Sequence, residues 1–432
     1  MCIANAACKT AYPLVFNTII PSIKTDEDYR VKVELIRGLK NFAQDTARTI
    51  VAEAVKDKNE HVSTTAAQYF IDNGRQIDAD WYWRITKEAD LNWQTQMLLF
   101  QASNKYLGNS RPESRDYINY VIKSNFDKSN DAYEKAACLS ALSEFGWNYR
   151  TIHDRGFTAQ NAVLRTTAVS ALATIADRPD FYSFFGEGSG SARREINYYL
   201  HEAVQSGDAG MIAVAAETLL NSKLDFKKMA DSAQLEGLKS ALTKLRIPQE
   251  IETYDALVKT VEAFTGIPQP HKEVKWNHPI EWATLSSLGP NPKAVITTSI
   301  GEITIALIPT AAPGSVANFV KLANQGFFNT KTFHRVVPNF VIQGGCPRGD
   351  GYGSLDYSIR SEFSTLRFDG EGWLGMASAG KDTEGTQFFI THSSAPHLDG
   401  KYTVFGKVVA GMDIAQKIQI GDQILKVKIL GK

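Results

Sequence analysis

The chain has 432 residues, more than one hydrophobic core ordinarily organises, so two or more domains are expected. It is 43% apolar and 22% charged, and its 47 basic residues balance 47 acidic ones. A net charge of zero gives no support to a nucleic-acid or membrane-surface role, which needs a basic excess or stripe. No run of 18 apolar residues occurs, so no membrane span is expected. Four cysteines (Cys2, Cys8, Cys138 and Cys346) are too few and too scattered for a disulfide framework, and no Cys-x-x-Cys pair suggests zinc. Neither a metal nor a cofactor is expected, and Cys2 and Cys8 read as two thiols near a terminus. The first residues, MCIANAACKTAYPLVF, lack the basic start and clean apolar run of a signal peptide. They read like the interior of a helix, as in a chain cut from a longer protein. The cytoplasm is the default compartment, or the envelope or exterior if an upstream signal is missing.

Residues 1–265 are expected to be all-helical. Small and apolar residues recur at helical spacing in Val31–Leu39, Val62–Phe70, Gln96–Phe100, Ala136–Leu142, Thr166–Leu172 and Ile212–Leu220. Turn clusters such as Asp72-Asn73-Gly74 and Asp177-Arg178-Pro179-Asp180 separate them. The units return at irregular intervals of about 30 to 48 residues, the range of helical-repeat arrays. Ala, Ser and Thr on a helix face let the next helix approach closely, as stacked pairs require. The region resembles HEAT-type repeats, against the plainer reading of a helical bundle with accidental periodicity. Within it, FYSFFGEGSGSA (181–192) breaks the pattern and is expected to be a loop.

Tyr254 to Phe264 is the last strong helix candidate. Residues 266–292 are Pro-punctuated and predict an extended linker. Trp276, Ile280, Trp282 and Leu285 suggest that it packs along a domain surface. From Lys293 the pattern changes to period two. Ala294–Thr298, the turn Ser299–Glu302 and Ile303–Ile308 read as a hairpin, and Pro313 opens a helix that ends at Asn324-Gln325-Gly326. Short strands and Gly-rich turns follow, so residues 293–432 are expected to form a small closed β-barrel with one or two helices.

The stretch Phe333-His334-Arg335-Val336-Val337-Pro338-Asn339-Phe340-Val341-Ile342-Gln343-Gly344-Gly345 carries the most information. It sets a cation (Arg335), a large ring (Phe340) and an amide (Gln343) at spacings of five and three. In a strand bent after Pro338, one short segment can aim all three into one cleft. A mostly apolar cleft with one charge and one amide suits a prolyl peptide better than an ion or a nucleotide. The stretch resembles the FHR-x-x-P-x-F-x-x-QGG signature of the cyclophilins, the peptidyl-prolyl cis-trans isomerases. Two further blocks in the right order resemble the same family. One is Met376-Ala377-Ser378-Ala379-Gly380 with Gly385-Thr386-Gln387-Phe388-Phe389-Ile390, and the other is His397–Val408. The resemblance covers about a third of the chain and implies an eight-stranded antiparallel barrel closed by two helices.

It also implies roles. Arg335 matches the catalytic arginine, and Gln343 the glutamine that hydrogen-bonds the substrate backbone. Phe340, Val341, Phe389 and Leu398 match the pocket for the proline ring. Ala377 and Ser378 match the edge that pairs with the peptide, and Gln387 a further polar wall. His397 stands where the family commonly has Trp, Tyr402 where it has His, and Ser378 where it has Asn. Tyr402 keeps a ring and a hydrogen-bonding tip, whereas His397 loses indole area and an N–H. Working isomerase activity with weakened binding of the family's inhibitor cyclosporin is therefore expected. His334 reads as a structural hydrogen-bonder, Cys346 as a buried or half-buried thiol, and Gly349-Asp350-Gly351-Tyr352-Gly353 as a barrel turn without the context of a phosphate loop. The expected partners are proline-containing peptides and client proteins held by the helical repeats, with no nucleic acid. A non-catalytic proline-peptide scaffold is the alternative, and the intact Arg335, Phe340 and Gln343 weigh against it.

Overall fold

The computed structural model describes residues 21–42, 44–108, 111–274 and 276–431, with the side chains of Gln44 and Thr46 left aside. Cys2, Cys8 and the helix-like opening segment lie outside the described residues. The chain divides into two compact units, Met1–Ile152 and His153–Lys432.

In the first unit, α1 (Tyr29–Gly38), α2 (Gln44–Ala54), α3 (Glu60–Asn73) and α4 (Ala79–Glu88) are followed by α5 (Trp93–Tyr106), α6 (Pro112–Lys128) and α7 (Ala132–Ser143). Short polar residues start several of these helices. Asp28, Asn59, Asn92 and Asp131 each accept a backbone N–H of the first turn, satisfying donors that a helix start leaves open. Helices α3, α5 and α7 pack in series. Ser63 and Thr95 bridge the first pair (3.0 Å), and Asn104 Nδ2 donates to the Ala141 carbonyl in the second (3.1 Å). Cys138 is buried against Met97, a core thiol.

α8 (Tyr149–Gly156) runs across the division. The second unit continues with α9 (Ala162–Ala176), α10 (Phe181–Phe185), α11 (Ser189–Gln205) and α12 (Ala209–Leu220). It then forms α13 (Phe226–Met229), α14 (Ser232–Lys244) and α15 (Ile251–Thr265). Helix α12 packs against both α9 and α15, so Ala213, Ala215 and Ala216 are all buried and its apolar character runs round the helix. Thr253 and Thr260 of α15 donate to the Ala209 and Ala216 carbonyls of α12 at 3.0 and 2.8 Å, both across a separation of 44 residues. The stretch 181–192 is not the expected loop. Phe181 and Phe185 are buried, the Arg193 guanidinium lies 3.7 Å from the Phe181 ring centroid, and the backbone breaks only at Gly186 (φ +53°) before α11 begins at Ser189. Aromatic burial outweighs the Gly and Ser content that suggested a loop.

Between Gly266 and Lys293 the chain is extended apart from the short α16 (Trp282–Ser286). It does pack on the barrel, but not through its tryptophans: Trp276 and Trp282 are 47% and 63% exposed. Contact comes from Leu285 and Leu288 against the core, from His278 stacked on Tyr357 (4.2 Å), and from Lys321 paired with Glu281 (2.5 Å).

The barrel strands are β1 (Lys293–Thr298), β2 (Gly301–Leu307), β3 (Lys331–Val337) and β4 (Val341–Gly344), then β5 (Trp373–Met376), β6 (Phe388–Thr391), β7 (Val404–Ala410) and β8 (Gln423–Leu430). They close in the order β1-β2-β7-β5-β6-β4-β3-β8, every pair antiparallel. Two helices flank it, α17 (Pro313–Asn324) and the single turn α18 (Met412–Ala415). β1 and β2 alternate buried and open positions, as one-sided strands do. Phe319, Phe333, Ile342, Leu374, Phe388 and Phe405 fill the interior. β4, β5 and β6 bury their outer face as well, because residues 366–368 and 395–402 cover it with a second cluster around Phe389.

Asp208 joins the helices of this unit to its barrel. Its carboxylate caps α12 at the Met211 amide (3.1 Å), pairs with Arg165 (2.7 Å) and pairs with Arg348 (2.6 Å) of the turn after β4. Arg348 also holds Asp350 (2.8 Å), which accepts from Thr166 of α9 (2.8 Å). Burial opposes ionisation of Asp208, yet Arg348, the Met211 amide and Arg165 together hold its pKa below the usual carboxylate range. Asp208→Ala removes a cap and one partner from each of two part-buried guanidinium groups, while Arg348 keeps Asp350 and Arg165 keeps the Ala159 and Gln160 carbonyls, so we expect a loss of about 2 kcal/mol in urea unfolding. A loss within about 0.5 kcal/mol, the range of ordinary surface substitutions, would show that the node is dispensable.

Candidate active site

The signature segment is a hairpin, not one bent strand. β3 runs to Val337, a tight turn closes with Phe340 N–H donating to the Val337 carbonyl (2.9 Å), and β4 returns from Val341. Pro338 supplies the first turn position and Asn339 the left-handed second one (φ +59°). Arg335 therefore sits directly opposite Gln343 across the hairpin.

A bulge decides where that pair faces. Phe333 pairs with Gly344 and Arg335 with Gln343, so two residues of β3 oppose one step of β4. Regular alternation would put Phe333 and Arg335 on the same side. With His334 as the extra residue, Phe333 enters the core and Arg335 stays exposed on the outer face. The register continues from Gln343 to Phe389 on β6 and on to Gly375 on β5. One row across four strands thus carries cation, amide, ring and glycine. A Cβ on Gly375 would lie 2.4 Å from Phe389 Cζ, so the missing side chain is what lets the ring lie flat on the sheet.

Around this row are two surfaces. The first is apolar. Val341, Phe389 and Leu398 are buried together with Phe368, and Phe340, Ala377 and Tyr402 pack against them half-buried. Tyr402 meets Phe389 edge-on (5.7 Å, 87°), and His397, exposed, lies 5.2 Å from Phe340. The second is a polar cleft of about 430 Å³ lined by Arg335, Gln343, Ala377, Ser378 and Gln387 among others. Gln343 Nε2 donates to Gln387 Oε1 (3.0 Å), and Gln387 Nε2 donates to the Gly351 carbonyl (2.8 Å). This chain fixes both amides. Arg335 makes no side-chain hydrogen bond or salt bridge among the described residues. All eleven residues singled out in the sequence thus fall on these two adjoining surfaces, with Ala377 common to both.

The neighbours of the row have distinct states. His334 is buried, neither ring nitrogen has a hydrogen-bond partner of ordinary geometry, and burial pulls its pKa down to about 4, so it is a neutral ring and not the structural hydrogen-bonder expected. Cys346 is buried, and burial raises its thiol pKa, which makes it an unreactive core thiol. Gly351 and Gly353 of the turn have positive φ and line the cleft. Sequence reasoning missed Gly375, whose only signal is a glycine inside the apolar run Trp373–Met376, and the cleft-lining residues 248–253, which carry no local signal at all.

Glu384, wholly buried beside the cleft-lining Thr383 and Gly385, accepts from Thr403 Oγ1 (2.8 Å) through one oxygen and leaves the other without a partner. Burial pushes its pKa up to about 8, against the lowering effect of Thr403 and Ser361. The folded chain then holds a proton there that the unfolded chain gives up at the ordinary glutamate value. Stability falls as pH rises through that window up to about 8, by up to about 1.4 kcal/mol per pH unit. Glu384→Gln should remove this slope in urea unfolding at pH 5.5 and 7.5; parallel profiles for variant and parent would contradict the assignment.

A family model described as cyclophilin type peptidyl-prolyl cis-trans isomerase/CLD matches residues 293–430. Peptidyl-prolyl cis-trans isomerase B of Bacillus subtilis is 52% identical over 131 residues, covering 30% of this chain and 92% of its own length. A peptidyl-prolyl cis-trans isomerase of Synechococcus elongatus is 44% identical, over 32% of this chain and 96% of its own. A solved cyclophilin-type isomerase of Cryptosporidium parvum, in the presence of the dipeptide Ala-Pro, is 31% identical over 32% of this chain and 99% of its own, with a TM-score of 0.31.

Proposed function

The chain belongs to the cyclophilin-type peptidyl-prolyl cis-trans isomerases, and on that footing we propose that it turns X-Pro bonds in protein clients, with Arg335 as the catalytic group. The observation that carries this reading is the pairing of an uncommitted guanidinium with a fixed glutamine beside an apolar floor.

Amide rotation meets a resonance barrier of roughly 18–20 kcal/mol, and no covalent bond has to break. In the twisted state the prolyl nitrogen regains its lone pair and becomes a hydrogen-bond acceptor. A guanidinium aimed at that nitrogen stabilises the twisted amide and not the planar one, which is the difference that accelerates the reaction. Each tenfold of rate needs about 1.4 kcal/mol of such preference. One charge-assisted hydrogen bond supplies a few decades when the peptide is held in place.

Holding falls to the other residues. The proline ring rests on Phe340, Val341, Phe389 and Leu398, between His397 and Tyr402. Gln343, steadied by Gln387, hydrogen-bonds the peptide backbone. The Ala377 amide already donates to the Gln387 carbonyl (2.9 Å), so pairing with the peptide falls to the Ala377 carbonyl and the Ser378 amide. The division of labour we propose is HEAT-like repeats up to residue 265, a linker over 266–292 and the isomerase over 293–432. Repeats that grip a client raise the local concentration of its prolyl bonds at the barrel and so assist its folding.

Arg335→Ala should slow the exchange of an Ala-Pro peptide, followed by NMR, at least about tenfold; an unchanged rate would reject Arg335. His397 offers less area than indole and stands exposed at the rim, so cyclosporin should inhibit weakly; nanomolar inhibition would contradict that role.

A further inference from the structure

The cleft beside Arg335 has a second wall that the barrel does not supply. Residues 248–250, the turn leading into α15, and 251–253, its first turn, line the cleft together with Gln343, Ala377 and Ser378. The turn is pinned there: Ser354 N–H donates to the Gln249 carbonyl (3.0 Å), and Thr253 is tied to the Ala209 carbonyl. The Asp208–Arg348–Asp350 node anchors the same helices to the turn that carries Gly351 and Gly353.

The charges on this wall are unequal. Among the residues lining the cleft, Arg335 is the one Lys or Arg, and three are acidic. Glu250 is held by Arg246 (3.1 Å), and Asp350 by Arg348 (2.8 Å). Glu252 makes no salt bridge among the described residues, and Glu217 of α12 adds to its negative field. His334, also lining the cleft, is buried and neutral, its ring nitrogens without a hydrogen-bond partner of ordinary geometry.

We propose that Glu252 is a specificity-determining residue, selecting clients with a lysine or arginine next to the X-Pro pair. The inference rests on the isomerase reading: a peptide seated at Arg335 and Gln343 must run along the cleft that the helical turn walls off. A cationic side chain there meets an uncompensated carboxylate, and an anionic one is repelled. For a part-exposed pair the sum of the two effects separates Lys from Glu by about fivefold or more.

The test uses the whole chain and three sets of Ala-Pro peptides, with Lys, Ala or Glu flanking the pair on either side. Exchange rates and affinities are both measured by NMR. On one side of the pair, Lys should be preferred to Glu by about fivefold or more in kcat/KM and in Kd. Glu252→Gln should bring the ratio within about twofold, and Glu252→Lys should invert it. Because the readout is a ratio within each variant, a general loss of activity does not mimic it. A ratio near one on both sides, or one that Glu252→Lys leaves intact, overturns the proposal. If the Ala peptide binds without being exchanged, the isomerase reading fails while the affinity ratio still judges Glu252. If no peptide binds, both are overturned.

Discussion

A one-residue bulge at His334 decides which side of the barrel Arg335 faces, and the site depends on it. Strand geometry gives each position a side, and the parity set by the core residue Phe333 would carry Arg335 inward. An unpaired guanidinium in a closed apolar barrel would cost several kcal/mol. The extra residue moves the cation to the outer face without disturbing the core. From there the antiparallel register lines up Gln343, Phe389 and Gly375, each on a different strand. The catalytic arrangement we propose is thus a property of sheet register as much as of side-chain identity.

A second constraint comes from outside the barrel. Asp208 is at once a helix cap and the partner of two arginines, one on α9 and one on the turn after β4. A carboxylate with that many donors is fixed in place, and with it the approach of α12 and α15 to the barrel. The turn before α15 then becomes part of the cleft wall. This is why the helices from Ala162 to Thr265 belong to the same compact unit as the barrel, although composition alone suggests a boundary after residue 265.

Much of this was legible in the sequence. Period-two patterning from Lys293, Pro313 at a helix start and three ordered motif blocks pointed to the closed barrel, and small residues at helical spacing pointed to stacked helices. The hairpin inside the signature was read as one bent strand, although Pro338-Asn339 is a turn dipeptide, and the bulge beside it leaves no compositional trace. Residues 181–192 misled because glycine and serine were weighed above the aromatics before them, two of which, Phe181 and Phe185, are buried, with Arg193 over the Phe181 ring. Trp276 and Trp282 misled in the opposite direction: the large rings were expected to pack, but of the residues named only Leu285 packs on the core, joined by Leu288 there and by His278 on Tyr357. The cleft wall was invisible for a related reason. Pro248 to Thr253 meet Arg335 only through tertiary contacts that span about eighty residues of sequence.

The central claim is that a rigid charged fork, and not merely a positive charge, meets the prolyl nitrogen. Replacing Arg335 by lysine separates the two, because lysine keeps the charge and loses the fork. The decisive measurement is the exchange rate of a fully bound Ala-Pro peptide on the Arg335→Lys chain beside the parent. The account predicts exchange slower by about tenfold or more with peptide affinity changed by less than about threefold. Undiminished exchange, or a slower rate explained wholly by lost affinity, would contradict it.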